Sequence, residues 1–491
     1  MRPEPLYTAA EMRAAEEAYD GLTLELMERA GTAVAEAVAT RYPDARRVSI
    51  WCGPGANGGD GLVAARKLHL AGREVDVRMV GPEEKVVGDA AENLRRAKEL
   101  GVRLTDEPGS ADVAIDAVFG TGFSGAPRRE SARRLEELDG LTLPVVAVDI
   151  PSGVDASTGE VAGPAVEAAL TITFHGRKVG LAVAPGRFQA GEIEVVDIGL
   201  AHISTRHGLV GGEVLELVPR RGPRDNKYTA GAVLVVGGSP GYTGAPCLTS
   251  EAAMRAGAGI VTACVPAPLN TIFEQRLLEV ITKPCPADAK GRLGSEAIDT
   301  VLEAAEPADA VALGPGLGRS GGTRALVREL LEQLELPVVL DADGLWALAG
   351  HLDWVFARDA PTVLTPHAGE LGRLLNRKSD WVSAHRLHAV QAGSDDVGAT
   401  VLLKGADTLV ASPGRGVLVC ELGNPGLATA GSGDVLTGVV ATCLAKGMEP
   451  PLGAVAAAAT CGVAAGIASE RHGQAGMIAR DVVEALSPAL S

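Results

Sequence analysis

The chain has 491 residues, too many for one ordinary domain and enough for two or three with full-sized cores. A formal net charge of −17 excludes nucleic acid and anionic membrane as main partners, because both require basic surface, and an aromatic content of 3% excludes a base-stacking platform. Any phosphate group must then be bound by local dipoles.

Thr8 and Glu11 form a capping box ahead of a first helix, and Thr23 opens a second whose apolar positions Leu24, Met27, Ala30, Val34 and Val38 recur at helical spacing. The N-terminal segment has no apolar run of the secretory type. A strand over 48–52, the loop GPGANGGDG at 53–61, a helix over 62–70 and a strand over 74–80 make a βαβ unit with a right-handed crossover. Gly53, Gly55 and Gly58 satisfy GxGxxG, a weak dinucleotide signal by itself; Asp76 falls in mid-strand rather than at a strand end, which argues against a plain NAD fingerprint. Strands over 113–118 and 145–150 deliver Asp116 with the loop FGTGFSG at 119–125, and Asp149 with the loop DIPSGVD at 149–155. In a doubly wound sheet these carboxyl ends share one crevice. Asn57, Asp116 and Ser152 offer oxygens suited to a weakly held monovalent cation rather than zinc. The alternative is that Asp116 and Asp149 only cap the helices after their strands. Strands over 171–174 and 193–196 close this half.

Residues 203–225 lose periodicity, which puts a domain boundary near Gly212. Strands over 231–238, 259–265, 310–313, 337–340, 362–364, 401–404 and 418–420 then restart an α/β alternation. Polar points again follow the strands: GPGLG at 314–318, Asp341 and Asp343, TPHAGE at 365–370, and KGADT at 404–408. Together they supply glycines for close approach, a cation, acids for a metal and a base. The stretch 424–438, NPGLATAGSGDVLTG, puts the N–H groups of Gly431, Ser432, Gly433 and Asp434 at the mouth of an apolar helix over 435–445, a phosphate cradle holding its own carboxylate. Asp434 either caps that helix or acts as general base toward a hydroxyl that attacks phosphorus. The uncharged run 451–468 is long enough for a membrane span, but its Ala and Gly residues are poor lipid anchors and predict a packed internal helix. The seven cysteines show no CxxC pair and no zinc spacing, so they read as buried free thiols in a reducing, cytoplasmic setting.

The stretch 424–438 resembles the anion-hole and base motif of the ribokinase-like superfamily. With GPGLG, TPHAGE, KGADT and the closing GMIARDVVEAL, the second half resembles the ADP/ATP-dependent NAD(P)H-hydrate dehydratases. Through LMERAG at 26–31, GPGANGGDG, DAVFGTGFSG and DIPSGVD, the first half resembles the NAD(P)H-hydrate epimerases. That order of halves is the one found in bifunctional NAD(P)H-hydrate repair enzymes. The resemblance implies a Rossmann-like doubly wound α/β domain over 1–212 and a ribokinase-like α/β domain over 213–491.

Residue by residue, it implies potassium ligands at Asn57, Asp116 and Ser152. Hydrate-binding positions are implied at Asn57, Gly58, Gly59, Asp60, Gly120, Thr121, Gly122, Phe123, Ser124, Gly125, Ala126 and Asp149, with Asp149 moving the proton at the epimerising carbon. In the second half, substrate positions are implied at Gly316, His367, Ala368, Gly369, Glu370, Leu371, Gly372, Arg373 and Asp434. The nucleotide would meet Lys404, Gly405, Ala406, Asp407 and Thr408, together with Asn424, Pro425, Gly426, Leu427, Ala428, Thr429, Ala430, Gly431, Ser432 and Gly433. The implied reaction uses ADP, or ATP in some relatives, with Mg²⁺ and K⁺, to turn the hydroxyl of the S hydrate into a phosphate leaving group. NADH or NADPH is regenerated with AMP and phosphate, and Asp434 serves as the base. Implied partners are the small-molecule hydrate and ADP, with neither nucleic acid nor membrane, in a homo-oligomer.

Two positions depart from the family pattern. Ala56 stands where an asparagine is common, and Ala368 replaces the proline of HPGE, which is expected to loosen that turn without removing a contact. The competing reading is a vitamin-precursor kinase of the same fold with a non-catalytic first half. The epimerase-like residues and His367, where such kinases more often carry Asn, argue against it.

Overall fold

The computed structural model describes residues 3–107 and 109–491. They form two compact α/β units, one of Pro5–His207 and one built mainly from Gly208–Ser383 and Leu387–Ser491.

The sheet of the first unit contains β1 (Arg47–Cys52), β2 (Glu74–Met79), β3 (Arg103–Leu104), β4 (Val113–Ala117), β5 (Val145–Val148), β6 (Leu170–Phe174) and β7 (Glu192–Val196). All are parallel, in the order β3-β2-β1-β4-β5-β6-β7. Strands β4 and β5 are buried along their whole length, which is why they read as unbroken apolar runs rather than alternating ones. The order reverses between β1 and β4, so the loops after these strands open the crevice expected at such a switch point.

The helix after β1 spans Ala56–Leu70 and starts six residues before the predicted one. The glycines explain the difference. A Cβ on Gly58 would lie 1.8 Å from the Gly53 carbonyl oxygen, and one on Gly61 would lie 2.5 Å from Ala117 Cβ. These glycines let the helix rest directly on the strands, so the segment expected as a loop is its first two turns.

The second unit's sheet contains β8 (His207–Val210), β9 (Ala232–Val236), β10 (Ile260–Pro266), β11 (Ile281–Cys285), β12 (Ala310–Leu313), β13 (Val338–Leu340), β14 (Thr362–Leu364), β15 (Thr400–Leu403), β16 (Thr408–Ala411) and β17 (Leu418–Cys420). They run in the order β8-β17-β16-β15-β14-β13-β12-β9-β10-β11; β16 is antiparallel to both neighbours and the other pairs are parallel. The helix Ser432–Ala445 packs across this sheet against the helix Gly244–Arg255, and a Cβ on Gly438 would lie 2.2 Å from the Thr249 carbonyl oxygen. The helix Pro450–His472 is long and apolar enough to cross a membrane, yet 67% of its apolar window is packed inside the fold, as its Ala-rich composition predicts. All seven cysteines are buried free thiols.

Two candidate active sites

The first site is a cavity of about 640 Å³ at the switch point, walled by Asn57, Asp60, Gly120, Thr121, Gly122, Phe123 and Asp149 among others. Of the remaining expected positions, Gly58 and Gly59 are taken up by packing: a Cβ on Gly59 would lie 2.5 Å from Met27 Sδ. Ser124, Gly125 and Ala126 continue the loop beyond the cavity wall.

Asp149 follows β5 with a backbone φ of 67°, a left-handed conformation that a non-glycine residue holds only under constraint. Its backbone N–H donates to the Ile172 carbonyl at 2.7 Å, and its side chain meets Lys178, which is fully buried with its Nζ 2.5 Å from Asp149 Oδ1. Lys178 also donates to Thr173 Oγ1 at 2.9 Å and to the Phe174 carbonyl at 2.8 Å. Desolvation, then Asp149 and Glu16, drive the Asp60 carboxyl well above the ordinary carboxylate range. Glu16, at the exposed rim, is pushed up by partial burial and by Asp149.

Asp116 is buried on β4 and accepts from Ser152 Oγ at 2.6 Å, Ser152 N at 2.7 Å and Val118 N at 3.2 Å. Burial raises it to about 6 despite those donors. No basic side chain is paired with it among the described residues, and Asn57 is buried with its Nδ2 unbonded. A buried carboxylate bonded to a hydroxyl, with no basic partner among the described residues, suits a monovalent ion, and no cluster of three or more His, Cys, Asp or Glu suited to a metal occurs among the described residues.

The second site lies over the strand ends β12 to β15. Asp341, directly after β13, takes Lys404 Nζ at 2.9 Å on Oδ1 and Thr437 Oγ1 at 2.9 Å on Oδ2. Lys404 also lies 3.8 Å from Glu370 Oε2, and a Cβ on Gly433 would sit 3.3 Å from its Nζ, so the lysine fills the mouth of the Gly-Ser-Gly turn. Burial lowers the Lys404 ammonium, but Asp341, Glu370 and Asp434 outweigh it and hold the group above its ordinary value.

The helix Ser432–Ala445 begins after Gly431, at φ 92°, and has no side-chain cap among the described residues; Ser432 N donates to the Thr429 carbonyl at 3.5 Å, and the next N–H groups, of Gly433 and Asp434, are open to an anion. Asp434 sits in that first turn, and its backbone carbonyl accepts from Thr249 Oγ1 at 3.1 Å. Burial foremost, then Asp341, raises its carboxyl to about 7 against the pull of Lys404. A simple capping role would show the helix start donating to the carboxylate, and no such bond occurs among the described residues.

Asp343 accepts from Gly318 N and Arg319 Nε, both at 2.9 Å, and so ties the GPGLG loop to the same site; Gly316, at φ 64°, is held by Ser239 Oγ at 2.8 Å on its carbonyl. His367 caps the helix Ala368–Leu374 through Nδ1, while Glu370 bonds back to His367 N at 2.9 Å and turns toward Lys404. Leu371 and Gly372 in the same helix point into the core instead, and Arg373 is exposed. In the nucleotide motifs Gly405, Ala406, Pro425, Ala428 and Ala430 form an exposed rim, and Asp407 is buried beneath it. Asn424 accepts from Gly426 N at 2.8 Å, and Ser432 Oγ donates to the Thr429 carbonyl at 3.0 Å, which shapes the turn before the helix.

The NAD(P)H-hydrate dehydratase family profile matches residues 233–488, and the YjeF-related protein N-terminus profile matches 23–180. The chain is 40% identical over 506 residues to the bifunctional NAD(P)H-hydrate repair enzyme Nnr of Moorella thermoacetica, covering 98% of this chain and 96% of that one. The chain belongs to the bifunctional NAD(P)H-hydrate repair enzymes. The Nnr of Salinibacter ruber is 38% identical over 520 residues, with 98% and 95% covered. A ribokinase-like superfamily protein of Enterococcus faecalis has the fold of the second half, at 22% identity and a TM-score of 0.50, covering 59% of this chain and 97% of that one.

Family membership over the full length sets aside a kinase with a passive first half. Both departures from the family pattern fall at helix starts. Ala56 opens the helix after β1, and Ala368 occupies the first helical position, where proline is favoured but not required. The His367–Glu370 capping box holds that second turn. Sequence reasoning missed Glu16, Thr173, Lys178 and Thr437. Lys178 lies beside Arg177 in the stretch 170–184 at no motif spacing, so nothing in the local pattern set it apart.

Proposed function

We propose that the first unit, assigned to residues 1–212, interconverts the R and S forms of NAD(P)H hydrate, and that the second, residues 213–491, dehydrates the S form with ADP to give NAD(P)H, AMP and phosphate. The observation that carries the dehydratase half is Asp434, a carboxyl in the first turn of an uncapped helix whose proton affinity lies at about neutrality. Such a group takes the proton of a hydroxyl as it attacks phosphorus, while the N–H groups of Gly433 and Asp434 and the Lys404 ammonium meet the charge on the transferring phosphoryl group. Mg²⁺ arriving with the nucleotide would be held by its phosphates and by one or two of the acids Asp341, Asp343 and Glu370, and would supply further positive charge there. The nucleotide would occupy the 404–408 and 424–433 rim, the hydrate the side of Gly316, His367 and Glu370. K⁺ would be held by Asn57, Asp116 and Ser152 and would bind the loops after β1, β4 and β5 to one another. The buried free thiols support a cytoplasmic setting, and a homo-oligomer is the proposed assembly.

Paired variants test the division of labour. Asp434→Asn should abolish dehydration and leave epimerisation intact, and Asp149→Ala should do the reverse. Equal loss of both activities in either variant contradicts two independent sites.

A further inference from the structure

Three carboxyls, Glu16, Asp60 and Asp149, face one cavity, and Lys178 is bonded to Asp149 alone among them. An ammonium has three N–H donors, and those of Lys178 go to Asp149 Oδ1, Thr173 Oγ1 and the Phe174 carbonyl, so none is left for a ligand. Fully buried and saturated, Lys178 does not touch substrate; it acts through Asp149. We propose that Lys178 is the positioning residue that divides the roles of the cavity's acids, making Asp149 the base and leaving Asp60 as the proton donor for epimerisation. The proposal rests on the epimerase assignment of the first unit.

Three features carry it. Lys178 Nζ sits on Asp149 Oδ1 and on neither of the other two carboxyls, so its positive charge favours the anion at Asp149 over one at Glu16 or Asp60. Thr173, the neighbour of both, steadies the ammonium from β6. Asp60 faces the same space without a basic partner among the described residues and is disfavoured as an anion by desolvation and by Asp149, the condition under which a carboxyl keeps a proton to give.

The chemistry balances with these two acids alone. Water added to the enamine bond of a dihydronicotinamide leaves a hydroxyl on the carbon next to the ring nitrogen. Asp149 takes the hydroxyl proton and the freed electron pair forms a carbonyl. The carbon–nitrogen bond breaks, its pair stays on nitrogen, and Asp60 protonates that nitrogen. Closure on the other face of the carbonyl reverses both proton transfers and yields the opposite epimer, with each acid restored.

The test follows R–S interconversion in the full chain by chromatographic separation of the two hydrates, with circular dichroism as the check on folding. Lys178→Met should lower kcat for epimerisation about 100-fold with KM within about threefold of wild type. Ethylammonium added to Lys178→Ala should restore activity about tenfold, which a merely structural lysine would not allow. Asp60→Asn should lose about 100-fold and Asp60→Glu should recover part of it. Wild-type kcat in Lys178→Met, or a change confined to KM, overturns the proposal. If Lys178 variants do not fold, Thr173→Val decides: reduced kcat at unchanged KM supports the clamp, and unchanged kcat overturns it. A wild-type chain that leaves the epimers unconverted overturns the epimerase assignment itself, an outcome distinct from active variants.

Discussion

Replacing Asp434 by Asn should stabilise the second unit while removing its chemistry. The carboxyl titrates at about 7 in the fold against an ordinary 3.8. At about 1.4 kcal/mol per pH unit, that difference amounts to about 4 kcal/mol of strain carried by the ionised native state. Below 3.8 both folded and unfolded chains hold the proton and nothing is lost; between 3.8 and about 7 only the folded chain holds it, so stability falls as pH rises, and above 7 the loss is complete. Asn cannot ionise, so its advantage over Asp should grow by about 3 kcal/mol between pH 5 and pH 8. In urea this is a midpoint shift of about 1 M for a unit of this size. Tryptophan fluorescence reports it well, because Trp346, Trp354 and Trp381 lie in the second unit and only Trp51 in the first. Dehydratase turnover should drop at least about 100-fold in the same variant. A midpoint that falls at pH 8, or an advantage that is flat with pH, would refute the picture of a strained, desolvated base.

Other consequences are independent of that one. For wild type, kcat/KM of dehydration should rise about tenfold per pH unit up to about 7 and level off above, because the base works only when ionised; a pH profile flat from 5 to 8 excludes Asp434 as that base. Lys404→Met leaves Asp341 buried without its partner and should destabilise the second unit by about 3–5 kcal/mol, with much of the loss recovered in the Lys404→Met, Asp341→Asn double variant by urea titration. Gly58→Ala puts a methyl 1.8 Å from the Gly53 carbonyl oxygen, so the first unit should melt earlier, by at least about 3 kcal/mol, with dehydration unaffected.

Much of this architecture was legible because parallel strands buried on both faces spell themselves as short apolar runs, as β4, β5, β9 and β12 do. The strands that escaped lack that signature. β3 is only two residues long, β11 is an edge strand interrupted by Lys283 and Pro284, β8 lies in a stretch without periodicity, and β16 starts at Thr408 inside a motif read for its ligand chemistry. The turn at Gly431 and the helix start after it were legible because small residues lead straight into an apolar run. The glycines after β1 were legible in number but not in purpose: a one-dimensional pattern does not distinguish a loop that approaches a ligand from a helix that approaches its own sheet. Lys178 was hidden for a related reason, since a single buried charge acquires meaning only from Asp149, 29 positions earlier in the chain.

The most direct measurement is recovery of reduced-nicotinamide absorbance from a mixture of R and S hydrates with Mg²⁺ and K⁺, with ADP and ATP in separate cuvettes. Two linked activities predict full recovery with one nucleotide, which also names the phosphate donor. Recovery that stops at the S fraction would contradict the epimerase half, and no recovery with either nucleotide would contradict the dehydratase half.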